Sequence, residues 1–355
     1  MGNKKKNKTY LTAKITIGML GISLIACSPA AVYHPPVNEP PVLAITEEGQ
    51  LSIMTYNIQT VFGKDETKLA ALLDYIALAQ FDFVLFQELF DEDIRDHILQ
   101  HIDRKAYQSV VSRIDYDTFP ENLFQDAGLF LMSKYPQVDL SGIGFEDQVT
   151  VTDGAIHMVL RKEVSLSTDF LANKSVMGSL HELNDSTYLF IFTTHLQALG
   201  SKSHKRSQYR QIKNFIEYGI HGVLETGLID SSENLIVLLT GDFNSDGYDE
   251  GDLEILTSLL GYPRDLHSEF NPSNNEYTMR FSALNMYKRF DYIFAYDQIG
   301  SVPLKKVKIH SINATDLKSD NNSSISDHLA LKASLMFSDA VTSDMEYYST
   351  EKQAR

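Results

Sequence analysis

Several short apolar runs in this chain end on a side chain that can bind a cation or move a proton. Tyr56 is followed by Asn57, Phe86 by Gln87 and Glu88, and Thr194 by His195. Gly241 is followed by Asp242, Phe243 and Asn244, and Ser326-Asp327-His328 leads into the run Leu329–Leu335. Strands that share one sheet system end on common edges, and pockets form there. Convergence of these ends would gather carboxylates, carboxamides and two imidazoles in one place. The chain's single cysteine, Cys27, lies far from all of them. Such an oxygen-rich donor set suits a hard cation, Mg²⁺ or Mn²⁺, rather than a structural zinc. Taken singly, an Asp or Asn at a strand end is a common turn residue, so the chemistry rests on the set.

The elements that must position these groups are legible as periodicities. Leu51–Tyr56, Phe83–Phe86, Gly128–Ser133, Ile156–Leu160, Tyr188–Thr193, Leu235–Thr240, Tyr292–Ala295 and Leu329–Leu335 read as strands by length and composition. Leu69, Leu72, Leu73 and Ile76 recur at helical spacing, as do Ile212, Phe215, Ile216 and Ile220. Helices are expected near 66–80, 92–102, 203–223 and 251–260. Strands outnumber helices and several follow one another directly, which disfavours a doubly wound parallel sheet. The expectation is an α/β (α+β) fold, a sandwich of two mostly antiparallel sheets with helices outside. A chain of 355 residues, 43% hydrophobic and 22% charged, can bury such a core as one domain over residues 49–338.

With the elements in place, six blocks resemble the endonuclease/exonuclease/phosphatase superfamily. They are Met54-Thr55-Tyr56-Asn57, Gln87-Glu88, Thr194-His195-Leu196-Gln197, Gly241-Asp242-Phe243-Asn244, Arg289-Phe290-Asp291-Tyr292 and Ser326-Asp327-His328, in the family's order. The resemblance implies a four-layer, deoxyribonuclease-like sandwich and metal-dependent cleavage of a phosphodiester. It implies Glu88 as principal metal ligand with Asn57 beside it, and Asp327 on a second metal or its water. Asp242 would position or deprotonate the attacking water, and Asn244 would hold a phosphate oxygen. His195 would donate to non-bridging oxygens, and His328 would serve as general acid or base with Asp291 fixing its tautomer.

Within that frame, Glu88-Leu89-Phe90-Asp91, Asp126-Ala127-Gly128-Leu129, Ser133-Lys134-Tyr135-Pro136 and Thr194-His195-Leu196-Gln197-Ala198 are similar to segments of bacterial and neutral sphingomyelinases. The substrate this implies is a phospholipid whose phosphorylated headgroup is released. Two departures stand out. The lysine of those enzymes' K-G segment corresponds here to Asp153, and the stretch between Tyr292 and Asp327 lacks their Trp-Phe hairpin. The second puts entry into intact bilayers in doubt, not the chemistry.

The ends of the chain carry another message. Lys4, Lys5, Lys6, Lys8 and Lys14 precede the short apolar run Ile15–Ala26, which closes on Leu24-Ile25-Ala26-Cys27. This reads as a signal peptide over residues 1–26 ending in a lipobox, with Cys27 lipidated. Met1-Gly2 does not signal myristoylation, because position six is Lys6. Five of the ten prolines fall in residues 27–48, expected to form an extended tether. Residues 339–355 read as a polar tail. The expected location is the bacterial cell envelope, lipid-anchored or secreted, with the membrane as partner through Cys27.

Removing the five lysines takes the formal net charge from −16 to −21, which disfavours a nucleic-acid partner. Against this, residues 195–215 hold Lys202, Lys205, Arg206, Arg210 and Lys213 with no acid. The simpler account is the solvated face of the 203–223 helix. An extracellular deoxyribonuclease-like nuclease is the alternative function. Inositol polyphosphate phosphatase is disfavoured by Lys288-Arg289-Phe290-Asp291, and a silent binding protein by the intact set of site residues.

Overall fold

The structure, a computed structural model, describes residues 49–59, 65–115, 125–145, 149–163, 171–230, 233–273, 276–281 and 285–337. The expected signal peptide, Cys27, the tether and the tail lie outside the described residues.

The strands are β1 (Gln50–Asn57), β2 (Phe83–Gln87), β3 (Ser109–Val111), β4 (Phe130–Ser133), β5 (Gln137–Val138), β6 (Thr150–Thr152), β7 (Ala155–Val159), β8 (Ser175–Asn184) and β9 (Thr187–His195). They continue with β10 (Asn234–Asp242), β11 (Arg264–Asp265), β12 (Met279–Phe281), β13 (Met286–Lys288), β14 (Asp291–Tyr296), β15 (Gln298–Ile299), β16 (Val302–Pro303), β17 (Lys308–Thr315) and β18 (Ala330–Met336). The helices are α1 (Glu66–Ala79), α2 (Glu92–His101), α3 (Lys202–Glu225), α4 (Glu250–Leu259) and α5 (Leu266–Phe270).

A six-stranded sheet runs β17-β18-β1-β2-β4-β3 and an eight-stranded sheet includes β11-β14-β10-β9-β8-β7-β6. Among the described strands only β1–β2 and β9–β10 pair in parallel. These are the pairs joined through a helix, α1 in one case and α3 in the other. A parallel neighbour needs a crossover, whereas the direct connections elsewhere return antiparallel.

Three apolar clusters fix the four layers. Leu51, Ile53, Phe83, Leu85, Leu189, Ile191, Ile236, Leu238, Ile293 and Leu331 meet between the two sheets. Met54, Val84 and Phe86 face Leu69, Leu72, Ile76, Ile94 and Ile98 of α1 and α2. Leu235, Val237, Leu239, Phe190 and Phe192 face Ile212, Phe215 and Ile216 of α3. Alternate residues of one strand therefore bury against opposite layers, which is why β2 and β10 carry the unbroken apolar runs Phe83–Phe86 and Leu235–Leu239 and β1 is apolar on both faces.

Helix ends follow local chemistry. Asp65 caps α1 through Thr67 and Lys68 amides, Asp91 caps α2 through Ile94, and Ser201 caps α3 through His204. The eight expected strands and four expected helices are all present, with shifted ends. The ten-residue β8 and the edge strand β17 add to them.

Candidate active site

Strand parity and register assemble the site. Side chains of a strand alternate between faces, so Asp242 lies on the inter-sheet face with Ile236 and Leu238. Asp242 stands opposite His195 of β9 on one side and Asp291 of β14 on the other. By the same parity Asn57 enters the gap from β1, below which Leu51 and Ile53 fill the core. Asn57 Nδ2 donates to Glu88 Oε1 at 3.1 Å and to Asp242 Oδ2 at 2.9 Å. One carboxamide thus joins the ends of the two sheets. A layer deeper, Gln87 Nε2 donates to Thr55 Oγ1 and Thr193 Oγ1, both at 3.1 Å, and repeats that join.

Gly241 has φ +123°, and a Cβ there would lie 2.0 Å from the Thr194 carbonyl oxygen. Only glycine lets β10 press against β9 immediately before Asp242. Glu88 has the opposite difficulty. It follows Gln87, which faces the gap, so continued extension would turn Glu88 toward the helix layer. Its left-handed backbone, φ +57°, re-aims it into the gap. That conformation costs a non-glycine residue roughly 1–2 kcal/mol, and it brings Glu88 Oε1 to 3.5 Å from His195 Nε2.

The second half of the site is a buried pair. His328 Nδ1 lies 2.8 Å from Asp291 Oδ2, and His328 Nε2 lies 3.6 Å from Asp242 Oδ2. Thr278 Oγ1 accepts from the Phe290 and Asp291 amides at 3.0 Å each, fixing the carboxylate's backbone. Met279 forms an isolated bridge with His328.

Burial dominates the electrostatics. It pushes the Glu88 carboxyl up, against the opposing pull of Lys174 and Asn57. It pushes Asp242 up, with His328 opposing. Burial holds His195 well below its ordinary value, and Lys174 and His328 reinforce this. Burial would also lower His328, but Asp291, Asp242 and Asp327 together outweigh it and raise that imidazole. Burial thus favours the neutral imidazole at His195, while the carboxylates around His328 favour its protonated form.

Glu88, His195 and Asp242 offer donor atoms within 4.8 Å of one another, and so do Asp242, Asp291 and His328. Two carboxylates share the single Asn57 amino group, and His195 Nδ1 and Asp291 Oδ1 have no hydrogen-bond partner. A hard divalent cation fits such a cluster of buried oxygen donors, and its charge would offset the burial that raises both carboxyls. Glu88 keeps 20% of its side chain open while Asp242 keeps 1%, so Glu88 is the carboxylate more accessible from outside.

The remaining expected residues sit at the rim of this centre. Asn244, φ +47°, donates its own amide to Asp242 Oδ1 at 2.8 Å and its Nδ2 to the Leu196 carbonyl at 2.9 Å. It thereby ties the Asp242 turn to the loop after His195. Asp327 belongs to neither donor cluster among the described residues, yet its charge acts on both Glu88 and His328.

One site residue escaped the sequence reading. Lys174, 1% exposed, places Nζ 3.5 Å from His195 Nε2. Asp153 lies at φ +50° in the β6–β7 turn. Lys174, the lysine of the site, directly precedes β8. The available signal was Asn173-Lys174 directly before a strand whose Ser, Gly and His residues masked its alternation. Arg289 is fully buried too, clamped to Asp265 at 2.7 Å.

The solved structures similar to this one share its architecture. D. rerio TDP2 complexed with single-strand DNA product matches with a TM-score of 0.56 and 15% identity, over 81% of this chain and 99% of that one. Sphingomyelinase C from Streptomyces griseocarneus matches with 0.52 and 14%, over 80% and 99%. A Staphylococcus aureus beta toxin variant with bound magnesium ions matches with 0.50 and 16%, over 80% and 99%. No curated protein sequence matches the chain. The model of the Endonuclease/Exonuclease/phosphatase family matches residues 54–328, from the start of the Asn57 block to His328 itself, and the chain belongs to that family.

Proposed function

We propose that this protein is a divalent-cation-dependent phosphodiesterase that acts on a phospholipid in the manner of sphingomyelinase C, releasing the phosphorylated headgroup. The observation that carries the reading is the bridged pair of carboxylates, Glu88 and Asp242, facing a buried His328–Asp291 pair across the mouth of the sandwich. Glu88 and Asn57 would hold Mg²⁺, or Mn²⁺, and the charge of Asp327 would add to the field at Glu88; a bound ion would supply charge neutralisation on phosphorus and acidify water. Asp242 orients the attacking water and receives its proton. His328, proton-bearing through its three carboxylate neighbours, donates to the leaving oxygen. Lys174 and His195 face the non-bridging oxygens, where negative charge grows in the transition state.

The lipid preference rests on the Glu88-Leu89-Phe90-Asp91 and Thr194–Ala198 segments and on the acidic net charge. Residues 1–48 fit an anchor, with Cys27 lipidated and the tether holding the domain off a bacterial envelope membrane. The competing reading is a nuclease, and one contact favours it. Lys205 Nζ reaches the Asn244 carbonyl oxygen, beside the site, at 2.5 Å. Two other cations of that stretch are already paired, Lys202 with Asp252 at 3.2 Å and Lys213 with Glu217 at 2.6 Å. The deciding experiment compares the protein with His328→Ala on sphingomyelin micelles and on plasmid DNA at equal Mg²⁺. Phosphocholine release lost in the variant supports the lipid reading. DNA nicking lost in the variant, with lipid untouched, replaces it with the nuclease.

A further inference from the structure

Glu88 stands in a backbone conformation that its own side chain does not favour, and something outside the site must hold it there. Three contacts grip the two residues that follow it. Leu89 N donates to the Gly128 carbonyl at 3.0 Å, Arg95 Nη2 donates to the Leu89 carbonyl at 2.5 Å, and Gln125 Nε2 donates to the Phe90 carbonyl at 3.1 Å. All three partners come from the start of α2 and from residues 125–128, none of which carries a group of the site itself.

These partners are tied to one another through a buried carboxylate. Asp126, 2% exposed, accepts from the Gly128 amide at 2.6 Å and from the Arg95 guanidinium at 3.2–3.3 Å through both nitrogens. Arg113 Nε adds a contact at 3.2 Å, and Glu92 bridges Arg95 at 2.7 Å and Arg113 at 2.9 Å. Gly128, φ +64°, leaves no slack. A Cβ there would lie 2.8 Å from the Phe90 ring and 2.9 Å from Leu89 N.

Arg95 is fully buried, and its Nη2 donates to both the Leu89 carbonyl and Asp126 while its Nη1 donates to Asp126 and Glu92, so one planar guanidinium braces the turn at several points. Lysine, a single-point donor, cannot reproduce it. We propose that Arg95 and Asp126 are positioning residues for the metal-binding step: they hold the left-handed turn at Glu88 and so set the affinity of the site for its divalent cation. They touch neither substrate nor ion. The inference rests on the proposed cation site, because it concerns how Glu88 is presented to that ion. Groups that orient a ligand from behind typically change metal affinity about 10- to 100-fold when removed.

The test is titration of the protein with Mg²⁺ by calorimetry, and with Mn²⁺ by the loss of its free-ion magnetic resonance signal, for wild type, Arg95→Lys and Asp126→Asn. Circular dichroism without metal establishes folding. Gln125→Ala, which releases only the Phe90 carbonyl and spares the ion pairs, stands in for any variant that does not fold. The expected result is a dissociation constant about 10- to 100-fold higher in Arg95→Lys and Asp126→Asn, and a smaller rise in Gln125→Ala. Turnover of the variants should recover as Mg²⁺ is raised toward saturation. Folded variants that bind the ion as tightly as wild type overturn the inference. Absence of binding in wild type removes the cation site on which it rests, a separate outcome.

Discussion

Replacing Asp291 by asparagine removes one charge from the His328 pair and almost nothing else. The carboxylate lies 2.8 Å from His328 Nδ1, is fully buried, and leaves its other oxygen without a partner, so its field falls on the imidazole. A hydrogen bond to a charged group contributes about 1.5–3 kcal/mol. At about 1.4 kcal/mol per decade, its loss from the transition state slows turnover roughly ten- to 150-fold. An asparagine that turns its amino group toward Nδ1 would also impose the other tautomer, and in Ser-His-Asp triads that replacement costs about 10⁴ in kcat. The expected loss for Asp291→Asn therefore lies between about ten-fold and 10⁴-fold in kcat. The assay is hydrolysis of bis(4-nitrophenyl) phosphate at saturating Mg²⁺, which needs no decision about the natural substrate. If the catalytic effect of Asp291 passes through His328, Asp291→Asn combined with His328→Ala should be no slower than His328→Ala alone. Additive losses in the double variant, or an Asp291→Asn enzyme within two-fold of wild type, would refute the reasoning.

Other outcomes follow from the same geometry. Lys174→Met should lower kcat/KM by about ten-fold or more, since one buried charge-assisted contact near the phosphate is lost, and Lys174→Arg should restore part of it in the same steady-state assay. Mg²⁺ at about 100 times its dissociation constant should raise stability by about 2.7 kcal/mol, seen as a higher melting temperature that EDTA reverses; an unchanged melt counts against the cation site. Gly241→Ala should destabilise the fold by at least about 1–3 kcal/mol, because its Cβ would meet the Thr194 carbonyl; denaturant unfolding measures it. Burial lowers His181 to about 3 and His157 to about 4. Both stay neutral in the fold while the unfolded chain binds protons below about pH 6.5, so stability present above that pH is lost as pH falls toward 4. Each histidine should contribute a slope of up to about 1.4 kcal/mol per pH unit in that window, and His181→Gln should flatten the slope.

How much of this protein is written in its sequence can be judged from particular residues. Strands buried on both faces are rich in apolar residues throughout, so β1, β2 and β10 are visible from composition, and α1 and α3 from a 3.6-residue period. The amides, carboxylates and imidazoles ending those strands are visible for the same reason, since the polar residues inside β1 and β10 are only Ser52, Thr55 and Thr240. Asn57, Glu88, His195, Asp242, Asp291 and His328 could therefore be named before their positions were known. Pairing could not. That Asp242 lies between His195 and Asp291 is set by the registers of β9, β10 and β14, contacts between segments about 50 residues apart that carry no local signature.

Lys174 was hidden for another reason. The strand that follows it, β8, mixes Ser, Gly and His with apolar residues and shows no clean alternation, so the residue before it had no frame. Arg95 looks like an ordinary helix charge in the sequence, and Asp126 stands in a recognisable segment with nothing to link it to Arg95. Only packing that removes both from water makes them a pair, and only the fold places that pair behind Glu88. Local sequence decides which atoms are available at strand ends, because propensity and periodicity act over a few residues. Tertiary structure decides which of them meet and which lose their water, because register, burial and the left-handed turn at Glu88 depend on distant parts of the chain.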